Sequence, residues 1–192
     1  MKKAITLTIG LLATAMLLAQ APHKYEIKCG IVKTVTENSA GQKSYTTLWF
    51  DDYGAKERSE MTMDMGSGMG EAKWITLSLP DGKSYSLDET RKNAKTTPRI
   101  EVNYLDMPES LMKSRKAKVI GEEKIGNRQC KIWEEHVKQI LHTATMTSWV
   151  WKGITIKYTV DNPRTTTTLV SFEQKSSLPG SLFEVPKDYT VR

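Results

Sequence analysis

The sequence predicts a mostly β protein of about nine or ten antiparallel strands with one short helix. Three observations lead there. Apolar and polar residues alternate with period two in Tyr25–Thr36, in Lys56–Asp64 and at Ile75, Leu77 and Leu79, the mark of strands with one wet face. Turn signals such as Pro80-Asp81-Gly82, Gly126-Asn127 and Asp161-Asn162-Pro163 recur between these runs, each supplying a fixed or positive φ. Only Pro108 to about Lys116, with Asp106 or Pro108 near its start and basic residues toward its end, reads as helix.

The elements follow in order. In Tyr25–Thr36, residues Tyr25, Ile27, Cys29, Ile31 and Val35 share one parity, while Lys24, Glu26, Lys28, Thr34 and Thr36 share the other. Ser44–Asp51 is rich in Tyr, Thr, Trp and Phe, residue types that fit a pleated surface. In Lys56–Asp64, Ser59, Met61 and Met63 oppose Arg58, Glu60, Thr62 and Asp64, with Met65 continuing the pattern. Gly66, Gly68 and Gly70 then mark a loop. Ile75, Leu77 and Leu79 form the next strand, followed by Tyr85 and Leu87; Thr90–Thr97 is unpatterned and reads as a long loop or an edge. Ala117–Ile125 and Arg128–Lys138 make a hairpin about Gly126-Asn127. Thr143–Trp151, Ile154–Val160 and Thr165–Gln174 complete the set. This spacing fits a sheet, a sandwich or a barrel.

The N-terminus predicts export. Lys2 and Lys3, the apolar run Ile5 to Leu18 and the small-x-small step Ala19-Gln20-Ala21 read as a signal peptide over residues 1–21. The run is too short to span a bilayer, so no transmembrane segment is expected after its removal. Residues 22–192 remain as a single domain, expected in the periplasm. Loss of two lysines lowers the formal charge from +6 to +4. Basic residues cluster at Lys113, Arg115, Lys116 and Lys118 and at Arg91, Lys92 and Lys95. Without stacking aromatics among them, they give no nucleic-acid signal. Cys29 and Cys130 could close one disulfide in an oxidising compartment, or remain as buried thiols.

Chemistry-bearing patterns are sparse. No nucleophile elbow, catalytic cysteine signature or phosphate-binding glycine loop is present, so no enzyme and no cofactor is expected. His23, His136 and His142 match no zinc spacing. Met61, Met63 and Met65, with Met69 beyond, place thioethers at alternate positions, which could hold a soft metal such as copper or fill an irregular apolar wall. Five tryptophans and Phe50 add apolar bulk for a core or a cavity.

Three phrases carry a resemblance. They are Val119-Ile120-Gly121-Glu122-Glu123-Lys124-Ile125-Gly126-Asn127-Arg128-Gln129-Cys130-Lys131-Ile132-Trp133, Trp149-Val150-Trp151-Lys152-Gly153-Ile154 and Leu182-Phe183-Glu184-Val185-Pro186-Lys187-Asp188-Tyr189. In their order they resemble the periplasmic lipoprotein-carrier superfamily, especially its secreted branch of unknown function. That resemblance implies a single curled antiparallel sheet, an unclosed β-barrel or half-pipe whose concave face holds acyl chains or an apolar peptide. The carriers open with an amphipathic helix and carry a functional arginine in a Leu-Trp-x-Lys-Arg-Pro phrase. Here Tyr25 already begins a strand, and Leu48-Trp49-Phe50-Asp51-Asp52-Tyr53 has acids where the bases stand. Their Arg-x-Glu matches Arg58-Ser59-Glu60.

The expected function is non-enzymatic binding of a lipid, an acylated protein or an apolar peptide in the concave face. Trp49, Met61, Met63, Met65, Trp74, Trp149 and Trp151 are the candidate lining residues. The alternatives are a copper-binding envelope protein using Met61, Met63 and Met65, and an envelope protein-interaction module without a small ligand.

Overall fold

The computed structural model describes residues 23–66, 68–138 and 142–192; the predicted signal peptide lies outside them. Twelve strands form one sheet. They are β1 (Gly30–Asn38), β2 (Lys43–Asp51), β3 (Lys56–Asp64), β4 (Glu71–Ser78), β5 (Lys83–Asp88) and β6 (Asn93–Pro98), then β7 (Lys118–Ile125), β8 (Arg128–Lys138), β9 (Thr143–Trp151), β10 (Ile154–Asp161), β11 (Arg164–Gln174) and β12 (Thr190–Val191). The helix α1 (Glu109–Arg115) lies between β6 and β7.

The spatial order is β12-β6-β5-β4-β3-β2-β1-β11-β10-β9-β8-β7. Two meanders therefore run outward from a seam where β1 pairs antiparallel with β11, from Gly30↔Gln174 to Asn38↔Thr165. The two ends of the sheet do not pair with each other, so the barrel stays unclosed. Near-neighbour pairings are joined by short turns, whereas the seam joins residues more than a hundred positions apart.

Alternation along each strand defines two faces. Val32, Leu48, Ser59 and Thr76 stand opposite one another in successive strands and share the front face. Ile31, Trp49, Arg58 and Leu77 share the back. Because β6 and β7 lie near opposite ends of the sheet, residues 99–117 must cross a face to connect them. They cross the front as a strap. The chain from 175 to 189 returns from the central β11 to β12, which pairs parallel with β6. Val185 and Tyr189 of this return pack on the back-face cluster Ile75, Leu77, Leu87 and Ala94.

Three expectations change. The first is the strand number: twelve among the described residues where about nine or ten were expected, the additions being β6 and the two-residue, parallel β12. The strand predicted from Tyr25 begins at Gly30; residues 26–29 are bends, and Tyr25, Ile27 and Cys29 are buried by packing rather than by strand alternation. Tyr25, Ile27, Val32, Phe50, Cys130, Ile154 and Ile156 form the largest core cluster. The inward parity of β1 is thus Gly30 and Val32, with Ile31 only half-buried. Asn93–Pro98, unpatterned in sequence, is strand β6, held between β5 and the C-terminal β12.

Helix α1 begins after Pro108, whose carbonyl accepts the amides of Leu111 and Met112. It ends at Lys116 in a left-handed conformation (φ 49°) whose amide returns to the carbonyls of Lys113 and Met112. Lys113 and Arg115 lie in its last turn, where cations favour the helix dipole. Met112 and Met107 pack on Ala117, Trp133 and Val150, which seats the helix on the sheet.

Candidate functional site

The front face and the strap form a half-open cavity of about 310 Å³. Val32, Leu48 and Ile154 supply apolar sheet and turn positions, Val102 and Tyr104 close it from the strap, and Tyr25 walls one side. Thr34, Thr46, Ser59, Thr155, Tyr158 and Thr167 add hydroxyls around this apolar centre. Its volume stands at the lower end of the range for small-molecule sites.

Buried charges hold the strap at both ends. At one end the Arg99 guanidinium, 8% exposed, donates to the carbonyls of Ala55 (2.6 Å), Gly54 (2.6 Å) and Leu79 (3.3 Å). It also bonds Glu101 at 2.6 Å and lies 3.6 Å from Glu57. Glu57 is itself buried and accepts from Lys24 Nζ at 2.8 Å and from the Tyr25 hydroxyl. Burial first, and the Glu57 carboxylate second, push the Tyr25 phenol well above its ordinary value. At the other end Arg115 donates to the wholly buried Glu135 at 3.0 Å. The Tyr104 hydroxyl donates to Ser148 Oγ at 3.2 Å, and its ring tilts against Trp133 at 5.5 Å. Burial raises the Tyr104 pKa, so it remains a neutral donor.

The N-terminal segment adds Lys24 and Tyr25 to the lining. Gly153, at φ +81°, lies against the Lys24 carbonyl so closely that a Cβ there would overlap it. Gly54, at φ +90°, receives the Tyr25 ring in the same way. Both glycines serve backbone approach as well as turn geometry.

The residues expected to line a cavity are distributed over both faces. Trp49 stands on the back opposite Ile31 and Arg58. Trp149, opposite Ile132 and Lys157, has the Lys157 ammonium 4.1 Å from its ring and donates from Nε1 to Glu123 at 2.6 Å. Trp151 meets Phe172 edge-on and lines a second concavity with Tyr104, Trp133 and Lys131. Met61, Met63 and Trp74 share the front face with Thr46 and Ser44 but do not line the strap cavity, which Met61 adjoins at Thr46, and Met65 follows the end of β3. Arg58 and Glu60 form a 2.6 Å ion pair on the back face. Cys29 and Cys130 are buried free thiols. Burial and then the Asp51 carboxylate push Cys29 up, and burial pushes Cys130 up, so both stay protonated near neutral pH.

Sequence reasoning passed over Val102, Tyr104, Arg99, Glu57 and Arg115 as site residues. The first three sit in a stretch without periodicity, and Arg99 bonds mostly main-chain carbonyls, which leave no side-chain pattern. Among the described residues no group of three or more His, Cys, Asp or Glu is placed to hold a metal. No described helix is long and apolar enough to cross a membrane.

No protein-family model matches the chain, and no curated protein matches its sequence. Solved structures do resemble it. An uncharacterised conserved protein from Thermus thermophilus aligns with a TM-score of 0.55 at 9% identity, over 86% of this chain and 90% of that one. MucB in complex with MucA(peri) aligns at 0.49 and 12% identity over 83% of this chain, which spans 55% of that structure. A DUF1329 family protein from Desulfovibrio piger aligns at 0.40 and 12% identity, over 84% of this chain and 91% of that one. The similarity to the Thermus protein is one of fold, and the fold is a single curled, unclosed antiparallel sheet crossed on its front by a strap.

Proposed function

We propose that this chain is an exported, non-enzymatic binding protein that takes the apolar part of a lipid, an acylated protein or an apolar peptide beneath the strap. One observation carries the reading: a cavity of about 310 Å³ lined by Val32, Leu48, Val102 and Ile154 together with hydroxyl-bearing side chains, with Lys24 as its one charged lining residue. Lys24 is neutralised by Glu57 at 2.8 Å and Glu101 at 3.5 Å. An acyl segment entering such a space gains about 0.8 kcal/mol per buried CH₂. The hydroxyls of Thr34, Thr46 and Tyr158 would meet the polar end. The signal-peptide reading of residues 1–21 supports a periplasmic site of action.

The test is native mass spectrometry of the mature protein purified from the periplasm without detergent, with organic extraction of the same sample. A discrete added mass that partitions into the organic phase supports the reading and identifies the cargo class. A bare protein mass, together with no uptake of an acyl probe in solution, overturns it and directs attention to an envelope protein partner.

A further inference from the structure

Outside the strap cavity, the front face carries a second arrangement with its own chemistry. Met61 stands opposite Thr46 on one side and Trp74 on the other. Met63 stands opposite Ser44 and Ala72. The Met65 amide donates to the Gly70 carbonyl at 3.0 Å, which prolongs the β3–β4 ladder by one rung and keeps Met65 on the side of Met61 and Met63. Three thioethers thus follow one another at alternate positions on one face, with small residues beside Met63 and Met65 and an indole beside Met61.

These side chains are not packing a core. Met65 is 41% exposed and Trp74 43%, Met61 and Met63 are half-buried, and none belongs to a core cluster. The neighbouring acids face away: Asp64 pairs with Glu71, and Glu60 stands opposite Ile75, all on the back. A hard divalent cation would need those oxygens. Thioethers select a soft ion, and an indole face attracts a cation. We propose that Met61, Met63 and Met65 form a binding site for a soft monovalent cation of the copper(I) and silver(I) class, with Trp74 as its wall. A strand rises about 3.3 Å per residue, so a neighbouring pair, Met61 with Met63 or Met63 with Met65, is close enough to share one ion, and the small neighbours leave these flexible side chains room to do so. None of the three methionines lines the strap cavity, and Met61 adjoins it through Thr46.

Silver(I) is the probe, because it needs no reductant. In protein labelled at methionine methyl groups, silver shifts the Met61, Met63 and Met65 methyl resonances and leaves Met107, Met112 and Met146 in place. Replacing the three together (Met61→Leu, Met63→Leu and Met65→Leu) retains the apolar volume and weakens silver binding by at least about tenfold. The buried thiols of Cys29 and Cys130 remain in both proteins, so the comparison isolates the thioethers. Trp74→Leu weakens binding about two- to fivefold, as expected for an exposed cation–π contact. Unshifted methyls at 61, 63 and 65 in the wild-type protein overturn the proposal, as does equal silver affinity in the triple variant.

Discussion

Arg99→Ala should release the strap from the sheet. The guanidinium donates to three main-chain carbonyls, those of Gly54, Ala55 and Leu79, at 2.6, 2.6 and 3.3 Å. Each such bond contributes about 1–1.5 kcal/mol, and truncation leaves its partly buried acceptor without a donor. Three acceptors together give a loss of about 3–5 kcal/mol, before the weaker contribution of the exposed Glu101 pair. Glu57 would keep only Lys24 and Tyr25, so its buried charge would be less well compensated. For a domain of this size the melting temperature should fall by on the order of 10 °C. Urea unfolding gives the global value, and the NMR resonances of the Val102 methyls and the Tyr104 ring, which lie against the sheet, report the strap itself. Arg99→Lys should recover less than half of the loss, since an ammonium cannot reproduce the planar fork. A loss below about 1 kcal/mol, with the Val102 methyl and Tyr104 ring resonances unshifted, would refute the anchoring role.

Other predictions concern the cavity, the turn packing and the charges. Leu48→Trp should fill the space beneath the strap and weaken binding of an acyl probe at least about tenfold, with a folding cost of about 1–3 kcal/mol from overpacking; unchanged probe affinity counts against the cavity as the site. Gly153→Ala should destabilise by about 2–4 kcal/mol, because the left-handed backbone and the overlap with the Lys24 carbonyl act together; a neutral effect in thermal melts would contradict the close approach. Glu135→Leu alone should cost about 3–5 kcal/mol by stranding Arg115, while Glu135→Leu with Arg115→Met should recover most of it; equal stability losses for the single and double variants in urea unfolding would contradict the pairing. Glu60 gives a pH signature. Burial alone would raise its carboxyl, but hydrogen bonds from Arg58 and Lys73 outweigh this and hold it below its ordinary value of 4.5. Because the folded pKa is the lower one, the stabilisation is present above pH 4.5 and fades as pH falls through the folded value. Glu60→Gln should therefore flatten the acid limb of the stability curve in urea titrations, and an identical acid limb would contradict the assignment.

The strands were legible because their signals are local. Alternation in Lys56–Asp64, and the turn at Gly126-Asn127 that joins Ala117–Ile125 to Arg128–Lys138, depend on residues within reach of one another along the chain. Tyr25, Ile27 and Cys29 misled for an instructive reason: a bent segment pinned between Gly54 and Gly153 buries alternate residues much as a strand does. Strand β6 was obscured because both its neighbours, β5 and the distant β12, satisfy its backbone while its own side chains carry little pattern. The tryptophans showed apolar bulk but not its direction, since Trp49 and Trp149 find the back of the sheet and Trp74 the front.

By itself, the sequence determined the fold class: period-two segments and turns that set most of them antiparallel. The tertiary structure decided where the site lies. Pairing β1 with β11 makes the two meanders one sheet, and that places β6 and β7 far apart. The link between them must then cross the front face and enclose Val32 and Leu48. Arg99 and Arg115 secure that crossing through carbonyls and a carboxylate distant in sequence, so their role exists only once the sheet has formed.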